Sequence, residues 1–390
     1  LWPTANSGSA GQDVRCPAAL LSSRATPVAL AAVNATGGLA APPLYLGLEA
    51  YRHLDKLAYL ELGDRVEGES TADTDGSNSD SVHTLRSLPG GGSVLFDQLG
   101  PGIVTFLRMQ ENYGNPWQLS LDDQAIPAIQ PGDLGQVNPS SAPASAWRYP
   151  LSLNPQESQG SNIVATALPF QQRLVWSSQR PNGNFYALYR KLPYGSPLPS
   201  WNSGSPTSDV VALLRCAGSD IASQGLSQRQ GTLTLATGRE TPVVTLAGPA
   251  QLRALSFQVP ASEMVSLGDS RLRIYWDGKS QPDVDAPLKF LVGDGAGVYA
   301  PQGRPLVQGL MAGAQQLSNG AMRFNLYWPM PFSSRARITI ISPAPLSNVS
   351  WSASYEPFPD PPQWWGTFHA TYTNIPVSYT HLRAHETGRN

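Results

Sequence analysis

Short bursts of alternating apolar and polar residues, set between long stretches rich in Pro, Gly and Ser, dominate the chain from residue 93 onward. Segments 93–96, 103–109, 118–121, 162–167, 172–176 and 185–189 alternate with the period of a half-buried strand. A second set, 252–259, 271–276, 322–328, 336–341 and 350–355, does the same, and 210–215 and 231–237 read as strands connecting the two. Only one segment has helical spacing. Within 50–62, Tyr51, Leu54, Leu57, Ala58 and Leu60 recur at i, i+3 and i+4, which predicts a short amphipathic helix. The polar segments 67–81 and 193–206 read as loops.

The two sets of strands echo each other. Leu119-Ser-Leu-Asp122 with Pro127 and Ile129 returns as Ile274-Tyr-Trp-Asp277 with Pro282 and Val284. Pro169-Phe170-x-x-Arg173 returns as Pro331-Phe332-x-x-Arg335, and Phe185-x-x-x-Tyr189-x-x-x-Pro193 as Trp351-x-x-x-Tyr355-x-x-x-Pro359. Gly100-Pro101 opens one set and Gly248-Pro249 the other. Blocks repeated in the same order point to two copies of one β-domain. The expected fold is all-β: two tandem jelly-roll β-sandwich domains with one short N-terminal helix. The boundaries give 44–206 to the first domain and 207–376 to the second, with 1–43 and 377–390 outside the fold. The repeated residues read as scaffold, because one active site rarely needs its residues twice. Asp122 and Asp277 can accept backbone N–H bonds in a turn, Pro169 and Pro331 suit a strand's first position, and Arg173 and Arg335 can brace a neighbouring loop.

Composition narrows the picture. Charged residues make up only 14% of the 390, while Gly and Pro number 36 each, which suits strands and irregular loops. No apolar run reaches the length of a membrane helix, and a net charge of -2 gives no reason to invoke nucleic acid or an anionic membrane. Two cysteines, Cys16 and Cys216, cannot form a disulfide framework, and Cys16 falls in the segment ahead of the fold. In that segment Arg24, the apolar run 28–33 and the small residues near Ala40 resemble a secretory signal peptide, so the protein is expected to be secreted or periplasmic. Residues 377–390 differ in character from all that precedes them and resemble a translated adapter sequence, so the natural protein is expected to continue past Pro376.

Carboxylates are few enough to weigh one by one: Asp73, Asp75, Asp80, Asp283, Asp285 and Asp294. Asp75, Asn78 and Asp80 share a Gly/Ser loop whose side chains can take paired sugar hydroxyls; the competing reading is an Asx-turn bonded to its own backbone. A calcium loop is disfavoured by the position of Gly76 and by the lack of a Glu at the bidentate position. Trp364 and Trp365, ahead of His369, can stack on a sugar face, though Trp at a domain edge serves packing as often. Of five histidines two lie in the tail, which leaves too few for a copper monooxygenase. No metal or cofactor is expected. No Gly-x-Ser-x-Gly elbow occurs either.

Several stretches resemble glycoside hydrolase family 172, formerly a domain of unknown function. These are Asp75-Gly-Ser-Asn78-Ser-Asp80, Phe96-Asp-Gln-Leu-Gly-Pro-Gly102, Leu272-Arg-Ile-Tyr-Trp-Asp-Gly278 with Pro282-Asp-Val-Asp-Ala-Pro287, Tyr327-Trp-Pro-Met-Pro-Phe332-x-x-x-Ala336, and Thr367-Phe-His-Ala-x-Tyr372. The resemblance covers roughly 44–376. It implies tandem jelly rolls that assemble as trimers or larger rings, and an enzyme acting on α-furanosides of the fructofuranose or arabinofuranose type. Asp285 keeps the family's acidic residue, whereas Lys289-Phe-Leu-Val292 replaces its usual Gly-Asp-Phe-Phe. The family's two glutamate-bearing blocks do not occur in this chain, so no catalytic residue is assigned. Asp75, Asn78, Asp80, Trp364, Trp365 and His369 are the expected substrate-binding set. The reading is the N-terminal part of a secreted furanoside hydrolase that takes an oligo- or polysaccharide and forms a homo-oligomer. A non-catalytic carbohydrate-binding or structural jelly roll, and an amidase that releases N-glycans, are the alternatives.

Overall fold

The computed structural model describes residues 42–374, apart from 62, 75, 78–82, 111–114, 138–144, 181–183, 197, 223–224 and 294–306. The chain divides into two compact units. The first is Leu1–Gly225 with Gln308–Met311 and Asp360–Gly366; the second is Leu226–Val307, Ala312–Pro359 and Thr367–Asn390.

Eight strands frame the first unit: β1 (Arg65–Ser70), β2 (Ser93–Leu99), β3 (Gly102–Gln110), β4 (Trp117–Leu121), β5 (Gln124–Ile129), β6 (Ser161–Val164), β7 (Arg173–Ser178) and β8 (Phe185–Lys191). One sheet runs β1-β8-β3-β6 and the other β2-β7-β4-β5, the double Greek-key order of a jelly roll. The second unit repeats this order with β9 (Ser227–Leu235), β10 (Glu240–Ala247), β11 (Ala250–Val259), β12 (Arg271–Trp276), β13 (Val284–Pro287), β14 (Met322–Leu326), β15 (Arg335–Ile341) and β16 (Leu346–Pro357). Its sheets run β9-β16-β11-β14 and β10-β15-β12-β13. The chain is all-β, with each unit a sandwich around its own core.

Alternation sets what each core receives. In β4, Trp117, Leu119 and Leu121 are buried while Gln118 and Ser120 face out. Trp117, Trp147 and Trp176 are fully buried in the first core, with Trp147 stacked on Trp201 at 5.0 Å. The second core is built on Phe257, Phe324, Trp276 and Phe332, the last two stacked at 5.8 Å. Each such side chain contributes about 1.5–3 kcal/mol by leaving water.

Four expectations need correction. The helix over 50–62 is only Leu48–Arg52, followed by a short 3-10 turn at Leu54–Lys56. Leu57 and Leu60 are 45% and 43% exposed, so no apolar stripe extends it. The 210–215 segment is part of an α-helix, Ser208–Arg215, that buries Val210, Val211 and Leu213. It is held by Arg52, whose Nε and NH2 donate to the Asp209 carboxylate at 2.6 and 2.9 Å. Residues 67–70 belong to strand β1 rather than a loop. Pro169 and Pro331 occupy the middle of the short strands Leu168–Phe170 and Met330–Phe332, where pairing with β3 or β11 alone tolerates the missing N–H.

The repeated blocks converge at one point in each unit. The Asp122 carboxylate accepts backbone N–H bonds from Gln171, Gln172 and Arg173 at 2.8, 2.6 and 2.9 Å, and the Ser200 hydroxyl also donates to it. Asp277 accepts from Ser333, Ser334 and Arg335 at 3.2, 2.6 and 3.2 Å. The same loops take back Asp122 N–H and Gly100 N–H in one unit, and Asp277 N–H and Gly248 N–H in the other. Gly100-Pro101 and Gly248-Pro249 are both cis. Phe170 and Phe332, inside the held loops, are completely buried. Arg173 braces β2, its Nε and NH2 each 2.7 Å from the Asp97 carboxylate, whereas Arg335 makes no such pair among the described residues.

Burial pushes both aspartates up, but the hydrogen bonds outweigh it and hold each below the ordinary value of 3.8. A depressed folded-state pKa contributes stability above the unfolded value, and that contribution is lost as pH falls through the folded one. The linked stability of wild type should therefore decline below about pH 4, and Asp122→Asn or Asp277→Asn should flatten that decline. At pH 7, Asp122→Ala and Asp277→Ala should each cost about 2 kcal/mol in urea unfolding, and Arg335→Ala less than about 0.5 kcal/mol. Equal losses for all three would contradict the role given to the aspartates.

Candidate functional site

The outer face of the β10-β15-β12-β13 sheet carries a connected group of polar side chains. Alternation places Arg271, Arg273 and Tyr275 of β12 on one face, and Arg337 and Thr339 of β15 beside them. Glu240, at the start of β10, accepts from Arg273 NH1 at 3.0 Å, the Tyr275 hydroxyl at 2.9 Å and the Thr339 hydroxyl at 2.7 Å. Asp285 takes Arg271 Nε at 2.7 Å and lies 3.2 Å from Arg273 NH2. The Arg337 guanidinium sits 3.5 Å over the Tyr275 ring. Burial pushes Glu240 up, but its hydroxyl and guanidinium donors outweigh this and hold it below the ordinary carboxylate value. A carboxylate held this way stays ionised at neutral pH and does not serve as a general acid.

His369 stands at the margin of this face. Its segment is fixed by main-chain bonds: Ala370 N–H to Asp283 O and Tyr372 N–H to Asp285 O, each at 3.1 Å. These place the short strand Ala370–Thr371 parallel to β13. The Trp276 indole N–H donates to Phe368 O at 2.8 Å, and the Phe368 ring packs near Trp328. With Phe368 turned inward, alternation turns His369 outward. Its Nδ1 lies 3.2 Å from Asp283 Oδ1, and its Nε2 lies 2.9 Å from the Thr367 hydroxyl. Asp283 is buried and also takes Lys279 Nζ at 2.8 Å, while its Oδ2 has no hydrogen-bond partner among the described residues. The result is a carboxylate–imidazole–hydroxyl chain that ends in an exposed pair of groups able to donate and accept.

The other expected site residues fall elsewhere. Asp75, Asn78 and Asp80 lie outside the described residues, as does Asp294. Asp73, just ahead of them, accepts the Gly76 N–H at 3.1 Å, an Asx-type turn, and lies 3.7 Å from His83 Nε2. Trp364 and Trp365 belong to the first unit and His369 to the second. Trp365 is buried and donates its indole N–H to Asp360 O at 3.2 Å. Trp364 is half-buried, with its ring edge-on to Tyr59 at 6.2 Å. Asp360 holds this corner by accepting from Lys56 Nζ and the Tyr59 hydroxyl, both at 2.7 Å. Sequence reasoning missed Glu240 and the arginine ladder. The alternation Arg271/Arg273/Tyr275 was visible, but nothing in the sequence identified the strand that brings Glu240 to it.

Comparison with known proteins assigns the class. Residues 63–209 match the profile of the GH172 first beta-sandwich domain, and residues 225–348 match that of the GH172 domain-like group. The chain belongs to glycoside hydrolase family 172. No curated protein matches it. Two solved structures overlap it only slightly. The major capsid protein P2 of bacteriophage PM2 has 7% identity and a TM-score of 0.19, covering 75% of this chain and 97% of that one. The STIV major capsid protein has 11% identity and a TM-score of 0.20, covering 75% and 96%. Overlaps this slight inform neither fold nor function.

A carboxylate oxygen beside Nδ1 favours the neutral His369 tautomer with its proton there, leaving Nε2 to accept from Thr367. Long-range ¹H–¹⁵N spectra of the imidazole at pH 8 should show that tautomer in wild type and a mixture in Asp283→Ala. A wild-type ring protonated mainly at Nε2 would contradict the arrangement.

Proposed function

We propose that the chain is the paired-sandwich part of an exported hydrolase acting on α-furanosides, and that the Thr367–His369–Asp283 margin and Trp364 are saccharide-facing. Membership of both units in family 172 carries this reading. The margin supports it chemically. Hydroxyl, imidazole and ammonium groups in a fixed array suit sugar hydroxyls, and a half-exposed indole suits the apolar face of a ring. Fructofuranose and arabinofuranose are the substrate classes proposed. Asp75, Asn78 and Asp80 remain proposed contributors.

These units bind and position, and the acid and nucleophile of the reaction are not assigned to them. Glu240 and Asp285 are engaged by arginines and hydroxyls, which leaves neither placed to act on a glycosidic oxygen. That same observation favours the second reading, a non-catalytic carbohydrate-binding protein.

Export has separate support: Cys216 is disulfide-bonded, and such bonds persist in oxidising compartments. The only other cysteine of this sequence is Cys16, which lies outside the described residues. A bridge within one chain would require residues 1–43 to remain attached after export rather than leave as a signal peptide. The intact mass of the exported protein distinguishes the two. Assembly as a homo-oligomer is part of the proposal. Val66 and Tyr186, on paired strands of the first unit, are 69% and 41% exposed and give a second copy apolar surface to cover.

The 390-residue polypeptide should bind arabinotriose or a fructosyl trisaccharide in calorimetry without hydrolysing an aryl α-furanoside. Trp364→Ala and His369→Ala should each weaken the affected site about tenfold, the scale of one lost aromatic contact or hydrogen bond. Turnover by this polypeptide would overturn the division of labour. Glycan release from a glycopeptide would replace the hydrolase by an amidase.

A further inference from the structure

The first unit contains a cleft that the family match does not assign. It has a volume of about 570 Å³ and is lined by Pro131, Leu134, Gln136, Asn154, Pro155 and Gln156. That volume lies in the range of sites for small organic ligands, on the order of 300–1,000 Å³. Among the described residues no charged side chain lines it, which disfavours phosphates, nucleotides and acidic peptides. Its walls alternate between proline rings and side-chain amides.

The amides have capacity to spare. Gln136 donates one N–H to Gly132 O at 2.5 Å, leaving its Oε1 and second N–H open. Asn154 Oδ1 accepts the N–H groups of Gln156 and Glu157, each at 3.1 Å, so its Nδ2 alone is unspent. These bonds also occupy the N–H groups of the short helix Pro155–Ser158, so the cleft does not draw on a helix end. Gln156 is exposed, and its side-chain amide has no hydrogen-bond partner among the described residues.

The residues beside the lining positions are bonded to one another. Gly135, at φ +73, lies where a Cβ would come within 1.9 Å of Glu157 Oε2 and 2.8 Å of Asn154 N. Only glycine fits there without displacing the Glu157 carboxylate, which accepts the Asn154 N–H at 2.9 Å. Ser152, fully buried, takes the Gly135 N–H at 3.0 Å from behind.

We propose that this cleft is a second saccharide site, taking a neutral furanosyl or pyranosyl unit with its C–H face on Pro131 and Pro155 and its hydroxyls on Gln136, Asn154 and Gln156. The inference rests on the carbohydrate reading above and extends it to a surface with its own residues. A site here would hold a saccharide to the first unit without taking part in bond cleavage. Uncharged amides and proline rings match a neutral polyol, whose hydroxyls both donate and accept.

The test is calorimetric titration of the full 390-residue chain with arabinotriose and with a fructosyl trisaccharide, in wild type, Gln136→Leu/Gln156→Leu, Gln156→Ala, and His369→Ala. The expected result is two sites in wild type. The double variant should lose one of them, at least tenfold in affinity, while its melting temperature stays unchanged. Gln156→Ala, an exposed change that spares the fold, should weaken the same site severalfold, and His369→Ala should leave it intact. If either trisaccharide binds but neither cleft variant alters uptake, the cleft inference falls and the proposed function stands. If nothing binds at millimolar concentration, both fall.

Discussion

Each sandwich depends on one aspartate at the end of its fourth strand. Asp122 and Asp277 have positive φ values of 49° and 52°, a backbone conformation that aspartate tolerates better than most residues. That turn aims the carboxylate across the sheet at the loop before the seventh strand, where it collects three successive backbone N–H groups. Bonds from three successive amides to one carboxylate fix the loop's path, each charge-assisted bond contributing roughly 1.5–3 kcal/mol. With the amides satisfied, the loop can push Phe170 or Phe332 fully into the core and turn back onto the glycine two residues ahead of the third strand. Strand-end aspartate, Gly-Pro entry and Pro-Phe-x-x-Arg are thus three parts of one joint.

Since both units carry the joint, it explains the fold and says little about chemistry. Function is better sought where the units differ. In the first, the loop between β5 and β6 opens an uncharged cleft walled by proline and amide groups. In the second, the corresponding sheet instead carries Glu240, Asp285 and three arginines, most of them bound to one another. Self-satisfied charges of this kind fix geometry at the surface, while the His369 margin presents groups that face outward.

Much of this was legible in the sequence, for identifiable reasons. Strands with one buried face, such as Arg271–Trp276, alternate clearly and were placed to the residue. Edge strand β1 was not, because Arg-Val-Glu-Gly-Glu-Ser is polar on both faces and reads as loop. The run Val-Val-Ala-Leu-Leu looked like a strand on β-branched content. It is a helix because Val210, Val211 and Leu214 pack on one apolar cluster with Leu151, Leu48 and Tyr51, and Asp209 finds Arg52. The aspartate was seen as a turn former, but its partners lie 49 to 51 residues away, and no local rule reaches that far. At the candidate site, His369 was identified from its motif, while Asp283 was only one carboxylate among six until β13 set it beside the ring. Trp365 was read as a sugar platform, and its indole is instead packed inside.

Amide hydrogen exchange resolved at Gln171–Arg173 and Ser333–Arg335 tests the central claim most directly. Held by carboxylates, these loop amides should be protected at pH 7 as strongly as those of the adjoining strands. They should lose that protection together once the pH falls below the aspartate titration, while mid-strand amides keep theirs. Amides that exchange at pH 7 as freely as those of an open loop would contradict the joint, and with it the reason given for both sandwiches.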